Sequence, residues 1–381
     1  MRIHWCGAGL SSGPGLRGLI TAGHPVTVWS DPVAQGVTVA GDLTDDIRPY
    51  ALGAVDAALA QGDIVVSMLP AGPHADLARH CVGHGAHFIW PGYITPELAA
   101  LDDRARRAGS VVLGEVGLSP GMDHLLAHDL VAAYRAAAAF HPDNVLSFTS
   151  LCGGFPAAPD AFRYKFAASP ADDLRALRAP ARYRRDFTDL TIAHPWDAVR
   201  PTVLPLPSPE SFELFPNRDS LAYLPVYRFD PHWPVREFLR ATLRPLGWAD
   251  AWQPVFAALA GLPAHNDDAA EAQLAALAES LGTAHAYAPG EADRVVLSVT
   301  LLAERAGRPV WQQGWILDAT GDVRGSAMAR LVSEPVALAA GAVMARELPA
   351  GVHPMPHDPR LVARWIAAIA PLAQTFRRTG A

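Results

Sequence analysis

The chain has 381 residues, a length that exceeds most single hydrophobic cores and predicts two domains. Its formal net charge is −7 and no basic run stands out, which argues against a nucleic-acid or membrane partner, because both bind clustered Lys and Arg. No apolar stretch reaches the roughly 18 residues that would span a bilayer, and the first residues lack the pattern of a signal peptide. The three cysteines have no metal-ligand spacing, so we expect reduced thiols, a cytoplasmic protein and no bound metal.

The N-terminal segment combines a short strand with a glycine-rich turn. Residues 2–6 predict a strand, and Gly7-Ala8-Gly9-Leu10-Ser11-Ser12-Gly13 follows at once. Two glycines at this spacing suit a tight turn and the close approach of the backbone to a pyrophosphate, which then meets the N-terminus of a helix over residues 16–22. A second strand at residues 26–29 completes the pattern. Gly7, Gly9, Leu10, Ser11 and Ser12 are therefore predicted to bind a dinucleotide.

Asp31 follows the second predicted strand, at the position that distinguishes the two nicotinamide cofactors. A carboxylate there accepts hydrogen bonds from ribose hydroxyls and repels a 2′-phosphate, and no arginine follows closely. This pattern favours NAD, with NADP as the alternative. Two other interpretations remain open: Ser30 could occupy the position instead, and Asp31 could be a turn residue before Pro32.

The following segments alternate between helices and strands. They are a helix at 51–61, a strand at 63–68, a loop at 69–74, a helix from 75, a strand at 88–90 that ends in Pro91-Gly92-Tyr93, a helix at 96–108 and a strand at 111–113. A loop such as 69–74 is typical of the wall beside the nicotinamide ring, so Met68, Leu69 and Pro70 are predicted to contact the cofactor. The alternation predicts an α/β domain with a doubly wound parallel sheet of the Rossmann type.

Residues 115–127 connect this predicted sheet to the rest of the chain. Pro120-Gly121 forces a turn, and Asp123 stands where a helix starts that extends to residue 139. A carboxylate at such a position can cap free backbone N–H groups. It also follows the carboxyl end of a strand, where open α/β sheets bind ligands, so the sequence leaves both interpretations open.

The second half of the chain predicts a mixed α+β domain. Strands are predicted at 144–151, 212–215, 223–229, 296–304 and 310–317, the last two joined by a turn, and the proline-rich stretch 201–209 is predicted to be an extended loop. Helices are predicted at 235–246, 251–262 and 268–281, and two further helices at 326–346 and 359–377 end the chain.

Several segments of the chain carry a family resemblance, and they fall in order along nearly its whole length. They are Gly117-Leu118-Ser119-Pro120-Gly121-Met122-Asp123-His124, Cys152-Gly153-Gly154-Phe155-Pro156, Tyr164-Lys165-Phe166 with Ser169-Pro170, Phe215-Pro216-Asn217-Arg218-Asp219-Ser220, Arg240-Ala241-Thr242-Leu243-Arg244 and Ser326-Ala327-Met328-Ala329. In these segments the chain resembles the saccharopine dehydrogenase family, specifically its L-glutamate-forming members.

The resemblance implies how the chain is divided and what it binds. It implies a dinucleotide-binding domain at 1–122, a substrate-binding and dimerisation domain at 123–334, and C-terminal helices at 335–381 that return to the first domain. It also implies a homodimer. Two departures from the family matter: Ser119 stands where an aspartate is frequent, and Asp31 stands near the position at which NADP-using members carry an arginine.

The resemblance further implies a reaction and a set of site residues. The implied substrate is saccharopine, a secondary amine with three carboxylates, which is oxidised and then hydrolysed to glutamate and 2-aminoadipate 6-semialdehyde. Substrate contacts are implied for Tyr93, Asp123, Cys152, Arg218, Thr242, Leu243 and Arg244, of which Asp123, Cys152 and Tyr93 are the catalytic candidates.

Elementary chemistry assigns roles within this set. Arg218 and Arg244 are the candidates to bind carboxylates, because the planar guanidinium matches a carboxylate, whereas Arg240 is predicted to lie on a solvated helix surface. Asp123 is the candidate proton acceptor. His124 is the adjacent alternative, but its side chain is predicted to point about 100° away on the helix. The alternatives to the saccharopine reaction are a lysine 6-dehydrogenase or carboxynorspermidine dehydrogenase on the same fold, and a cofactor-binding protein without catalysis.

Overall fold

The structure is a computed structural model that describes residues 1–70, 72, 74–167, 169–263 and 268–380. Its strands are β1 (Ile3–Cys6), β2 (Val26–Ser30), β3 (Ile47–Pro49), β4 (Ile64–Ser67), β5 (His87–Ile89), β6 (Val111–Leu113), β7 (Val145–Pro156), β8 (Ala181–Arg185), β9 (Thr188–Ile192), β10 (Arg200–Leu204), β11 (Glu210–Pro216), β12 (Val235–Pro245), β13 (Asp293–Arg305), β14 (Arg308–Thr320), β15 (Gly351–His353) and β16 (Thr375–Thr379). Its α-helices are α1 (Gly13–Thr21), α2 (Val33–Ala40), α3 (Leu52–Ala58), α4 (His74–Gly83), α5 (Pro96–Ala99), α6 (Asp102–Ala108), α7 (Met122–Ala136), α8 (Pro170–Arg178), α9 (Tyr223–Val226), α10 (Trp248–Ala251), α11 (Gln253–Ala260), α12 (Asp268–Ala284), α13 (Ala327–Met344) and α14 (Pro359–Ile369).

The chain forms two compact units, and both are discontinuous in sequence. The first unit contains Met1–Leu125 and Asp322–Leu372, and the second contains Leu126–Gly321 and Ala373–Ala381. The units therefore divide at 125/126 and 321/322, whereas the predicted boundaries are 122/123 and 334/335. The predicted return of the C-terminal helices to the first domain agrees with this division, but the last strand belongs to the second unit.

The first unit is built on a seven-stranded sheet in the order β15-β6-β5-β4-β1-β2-β3, and every pair in it is parallel. The order of β1 to β6 is that of a doubly wound dinucleotide-binding sheet, to which β15 adds a seventh strand from near the C-terminus. All residues of β1, β2 and β4 are buried, as expected for strands whose two faces are both covered by helices. The predicted α/β fold class is confirmed.

Helix α13 packs against α1 in this unit. Among the described residues it is the one helix long and apolar enough to cross a membrane by composition, and 61% of its apolar window is buried inside the fold. A buried core helix passes the same test, so the composition of α13 follows from its packing.

The second unit is built on a nine-stranded mixed sheet. Its main path is β10-β11-β12-β7-β13-β14-β16, with the β8–β9 hairpin joined through β12. The β12–β7 pair is parallel, and the other pairs are antiparallel. The long predicted hairpin of 296–304 and 310–317 is confirmed as β13 and β14.

The predicted helix at 235–246 is wrong, because this segment is the central strand β12. Val235, Phe238 and Leu239 are spaced as on one face of a helix, which is why the pattern indicated one. In the sheet a register shift between Val235 and Glu237 breaks the simple alternation, and Phe238 and Leu239 are both buried because both faces are covered.

Three other elements differ from their predictions. The predicted strand at 223–229 contains helix α9, and part of the predicted loop at 201–209 is strand β10, which pairs with β11. The predicted last helix ends at Ile369, after which the chain forms β16 on the edge of the second sheet. These differences share a cause, since short segments take the structure that their neighbours in space allow.

Candidate active site

The glycine-rich turn of the first unit is shaped for the close approach of a dinucleotide. Gly7 has a φ of +96°, and a Cβ there would lie 2.7 Å from the backbone of Met68, so only glycine fits between β1 and β4. A Cβ on Gly9 would meet nothing within 4 Å, which leaves open space beside the N-terminus of α1. Ser12 is buried and its hydroxyl donates to the Gly7 carbonyl at 3.0 Å, which holds the turn closed.

The predicted cofactor residues at the turn differ in exposure. Leu10 is 72% exposed and Ser11 is half-buried, so both are accessible to a ligand at the start of α1. The backbone N–H groups there and the dipole of α1 suit the pyrophosphate of a dinucleotide. The turn and helix thus fit the group that the sequence predicts.

The loop after β4 is held by His74, a residue that the sequence had not singled out. The His74 Nε2–H donates to the carbonyl oxygen of Pro70 at 2.9 Å, so Nδ1 accepts the hydroxyl of Ser67 at 2.9 Å. The imidazole also packs on the indole of Trp90, with ring centroids 3.6 Å apart. Met68, Leu69 and Pro70 therefore lie in a fixed loop, while Ala71 and Pro73 of the predicted loop fall outside the described residues.

Asp31 is the exposed polar group at the end of β2. Ser30, the competing candidate, is buried, and its hydroxyl donates to the Pro32 carbonyl at 3.0 Å. Residues 31–47 contain no lysine or arginine. A ribose hydroxyl could reach the Asp31 carboxylate, whereas a 2′-phosphate at the same place would be repelled by its negative charge.

Asp123 is fully buried at the start of α7. One carboxylate oxygen accepts the backbone N–H of Gly121 at 2.7 Å, and the other accepts the hydroxyl of Ser119 at 2.9 Å. Both partners precede the helix, so the side chain turns back onto the loop that connects β6 to α7. This geometry differs from a cap on the free N–H groups of the first turn.

His124 and Glu115 complete a buried group of side chains around Asp123. The Nδ1 atom of His124 lies 3.7 Å from Oδ1 of Asp123, and its Nε2 atom lies 3.0 Å from Oε2 of Glu115. His124 is fully buried and Glu115 is 6% exposed. The sequence predicted that Asp123 and His124 point apart, whereas the structure brings their polar atoms close together. Glu115 was missed, although a charged residue just after a buried strand is a recognisable pattern.

Tyr93 lies in the loop after β5, next to this group. Its carbonyl oxygen accepts the indole N–H of Trp90 at 3.1 Å, and the N–H of the following residue, Ile94, donates to Oε1 of Glu115 at 3.2 Å. The backbone on both sides of Tyr93 is thereby fixed. The loop after β5 and the loop after β6 are thus joined within the first unit.

In the second unit, one face of β12 carries Arg240, Thr242 and Arg244, because alternate residues of a strand share a face. Thr242 pairs with Cys152 of the parallel neighbour β7, and Cys152 is partly exposed. Leu243 faces the other way and is fully buried in the core. The predicted contact of Leu243 with substrate stays a prediction, and it falls to the backbone of Leu243 because the side chain lies in the core, while Cys152, Thr242 and Arg244 lie on adjoining strands.

Arg244 is buried against aromatic rings. It is 8% exposed, and its guanidinium carbon lies 4.3 Å from the ring centroid of Tyr164 and 5.6 Å from that of Trp248. Nη1 donates to the carbonyl of Leu243 at 3.0 Å. Arg218 is exposed, follows β11, and has a φ of +51°, an uncommon backbone conformation for arginine.

Arg240 corrects another prediction. The sequence placed it on a solvated helix surface, but it is 3% exposed, on a strand, with its guanidinium carbon 4.0 Å from the ring centroid of Tyr223. The error follows from the wrong helix at 235–246. Arg240 therefore joins Arg244 as a buried cation on the same face of β12.

Within the described part of the chain, no group of three or more His, Cys, Asp or Glu side chains is arranged to hold a metal ion. The carboxylates and the imidazole can transfer protons, and the guanidinium groups can bind anions.

Comparison with known proteins identifies the family. Residues 117–370 match the model of the saccharopine dehydrogenase C-terminal domain, and residues 46–113 match the model of the saccharopine dehydrogenase NADP binding domain. The chain belongs to the saccharopine dehydrogenase family. The second match also supports binding of a nicotinamide dinucleotide, as the glycine turn had predicted.

Curated relatives match this chain over part of their length. The alpha-aminoadipic semialdehyde synthase of Arabidopsis thaliana is 35% identical over 196 residues, which are 50% of this chain and 18% of that protein. The saccharopine dehydrogenase [NADP(+), L-glutamate-forming] of Pyricularia oryzae is 30% identical over 257 residues, 64% of this chain and 54% of that protein. The chain thus spans from about a fifth to about half the length of the curated relatives it matches.

Solved structures show the same fold. The apo saccharopine dehydrogenase (L-Glu forming) of Saccharomyces cerevisiae aligns with a TM-score of 0.79 at 22% identity, over 100% of this chain and 99% of that one. The homospermidine synthase of Legionella pneumophila aligns with a TM-score of 0.67 at 13% identity, over 100% and 91%. Both likenesses concern the fold of this saccharopine dehydrogenase family member.

Proposed function

We propose that the chain oxidises the secondary amine of saccharopine with a nicotinamide dinucleotide and releases L-glutamate and 2-aminoadipate 6-semialdehyde. The observation that carries the proposal is the fully buried carboxylate of Asp123, which follows the carboxyl end of a parallel dinucleotide-binding sheet in a member of this family. A buried carboxylate beside an imidazole is the kind of group that accepts protons in enzymes. The names of the matched relatives agree with this substrate.

The reaction needs one redox step and one hydrolysis. A nicotinamide dinucleotide held at the turn of Gly7 to Ser12 would supply the hydride acceptor for the lysine-derived carbon next to the amine nitrogen. The nitrogen first loses a proton, for which Asp123 is the acceptor, and the loss of hydride then leaves a carbon–nitrogen double bond. Water adds to that carbon after giving up a proton, and cleavage of the carbon–nitrogen bond releases glutamate and the semialdehyde. Tyr93 and Cys152 are proposed to line the reacting centre.

Binding of the substrate carboxylates is assigned to arginines. Arg244 lies in an aromatic environment where water competes weakly for its hydrogen bonds, and Arg218 is accessible. Thr242, on the same strand face as Arg244, can donate a further hydrogen bond. A guanidinium binds a carboxylate with two parallel hydrogen bonds, which suits a polyanionic amine.

The proposed cofactor is NAD. The exposed carboxylate of Asp31 supports this choice, because it can accept hydrogen bonds from ribose hydroxyls and would repel a 2′-phosphate. The fungal relatives are named as NADP(+) enzymes, so NADP is the alternative. A homodimer, from the family resemblance, and a cytoplasmic location, from the cysteine pattern, are further expectations, which sedimentation analysis and cell fractionation would check.

The test is a direct assay of the purified chain. With saccharopine, we expect reduced nicotinamide to form, faster with NAD than with NADP at equal concentrations. Asp123→Asn is expected to lower kcat by about 10²–10⁴-fold, the usual contribution of a positioned acid or base. Asp129→Asn is the matched control, because Asp129 lies on the same helix and bonds to Trp315. Turnover of lysine but not of saccharopine, or an unimpaired Asp123→Asn variant, would contradict the proposal.

A further inference from the structure

Glu115 is placed in an unusual way for a glutamate. It lies two residues after β6, only 6% of its surface is exposed, and its φ is +56°, in the left-handed region that side chains seldom adopt. Such a conformation persists when the surroundings hold it, and it is found frequently at functional sites. The contacts that surround Glu115 therefore explain why its backbone keeps this conformation.

Glu115 forms one hydrogen bond with the residue before Tyr93 and another with the residue after it. The backbone N–H of Glu115 donates to the carbonyl of Gly92 at 2.9 Å, and its Oε1 atom accepts the N–H of Ile94 at 3.2 Å. The residues immediately before and after Tyr93 are thus both held by one residue. Glu115 therefore contacts the backbone on both sides of Tyr93.

The second carboxylate oxygen of Glu115 faces the imidazole next to Asp123. Oε2 lies 3.0 Å from Nε2 of His124, and Nδ1 of the same ring lies 3.7 Å from Oδ1 of Asp123. The partner at one imidazole nitrogen decides where the ring proton resides and how the ring is oriented. Glu115 is therefore in contact with both the loop of Tyr93 and the neighbour of Asp123.

We propose that Glu115 is a positioning residue, which sets the backbone around Tyr93 and the orientation of the His124 imidazole beside Asp123. This inference rests on the proposed function of Asp123 and Tyr93. Glu115 takes no part in bond making. Its negative charge, 3.0 Å from Nε2, favours a hydrogen on that nitrogen of His124 and so sets which ring nitrogen faces the Asp123 carboxylate.

The first test compares steady-state kinetics of Glu115→Gln with those of the wild type. Glutamine keeps the size of the side chain and an oxygen that can accept the Ile94 N–H, but it removes the charge next to His124. We expect kcat with saccharopine to fall by about tenfold or more while KM changes by less than about threefold, the pattern of a lost transition-state interaction. Glu97→Gln, which removes an exposed carboxylate in the same unit, is the control and should match the wild type.

The second test needs no substrate and therefore separates this inference from the proposed function. Nitrogen-15 spectra of histidine side chains, with the His124 signals assigned by a His124→Gln variant, report which ring nitrogen carries the hydrogen. In Glu115→Gln we expect the His124 signals to shift, while the other histidines keep theirs. In Glu115→Gly the unstrained left-handed backbone offsets part of the stability lost with the Ile94 hydrogen bond, and the variant should show the same loss of kcat and the same shift.

The outcomes discriminate between the possibilities. A lower kcat together with shifted His124 signals supports the proposal. Unchanged His124 signals in Glu115→Gln overturn it, whatever the kinetics, because Glu115 would then have no influence on the imidazole. If the wild type does not oxidise saccharopine, the proposed function fails, and the spectra alone still decide whether Glu115 controls His124.

Discussion

Buried charged side chains in this chain lie against groups that compensate for the loss of water. Arg240 and Arg244 each place a guanidinium within 4.5 Å of an aromatic ring centroid, and cations over such rings gain roughly 0.5–2 kcal/mol. Glu115 faces His124 in the first unit. An isolated buried charge would be expensive, so these contacts offset part of the cost of keeping the three side chains buried.

The burial of the three cysteine thiols predicts how readily each one reacts. Cys6 and Cys81 are fully buried, and burial raises the pKa of both thiols, so neither forms the reactive thiolate in the folded protein. Cys152 is partly exposed on the face of β7 next to Thr242. We expect an aromatic disulfide reagent to titrate one thiol in the native protein and all three after denaturation.

A Cys152→Ser variant is the control for this titration, and it should leave no thiol that reacts in the native state. If Cys152 lines the proposed substrate site, saturating saccharopine should slow its modification. Rapid reaction of two or three thiols in the folded wild type would contradict the prediction, because it would show that Cys6 or Cys81 is accessible to the reagent.

Among the secondary-structure elements, helices α1 and α13 pack so closely that their contact depends on a single glycine. The N–H of Gly15 in α1 donates to the hydroxyl of Ser333 in α13 at 2.8 Å, and a Cβ on Gly15 would lie 2.1 Å from the Ser333 carbonyl oxygen. The two backbones approach so closely that no side chain fits between them.

We therefore expect Gly15→Ala to lower the free energy of unfolding by about 1–3 kcal/mol, because the extra methyl group forces the helices apart. Gly18→Ala on the same helix is the matched control. Its Cβ would meet its nearest neighbour, Oε2 of Glu334, at 3.9 Å, and the gain in helix propensity should raise stability by up to about 1 kcal/mol. Thermal and urea unfolding of the two variants measure the difference, and equal stabilities would contradict the packing argument.

At the scale of the whole molecule, the chain passes between the two units three times. The second unit is inserted into the first, and the chain then returns to add β16 to the second sheet. β16 pairs with residues 314–318 of β14, and the ring of Phe376 stacks on Trp315 with centroids 5.0 Å apart. The end of the chain therefore protects the edge of a sheet built from a distant part of the sequence.

Deleting Ala373–Ala381 should expose that edge without disturbing the first unit. We expect amide hydrogens in residues 314–318 to exchange about tenfold faster or more, equivalent to about 1.4 kcal/mol of lost protection. Amides of β1 and β2 should keep their rates, and the dinucleotide should still bind. Phe376→Ala, which keeps the backbone pairing, should show a smaller increase. Equal exchange in the deleted and intact chains, measured by mass spectrometry, would contradict the role of β16.

Much of the first unit was determined by the sequence itself. The buried strands at 2–6, 26–29 and 63–68 are short apolar runs separated by helical patterns and glycine turns, and this rhythm permits few arrangements other than a parallel sheet covered on both faces. The glycine turn and Asp123 at the start of a helix depend on neighbouring residues alone. Local chemistry was sufficient to predict them.

Only the tertiary structure decided the central strand of the second unit and the partners of the buried polar residues. β12 has the local pattern of a helix, and it is a strand because β7 and β11 offer hydrogen bonds on both sides and a bulge accommodates Val235 and Glu237. Arg240 became buried as a consequence. Glu115 meets Ile94 and His124, which lie 21 and 9 residues away along the chain, so no local pattern could reveal those contacts. Long-range pairing outweighs local preference because a buried backbone must find hydrogen-bond partners wherever the fold provides them.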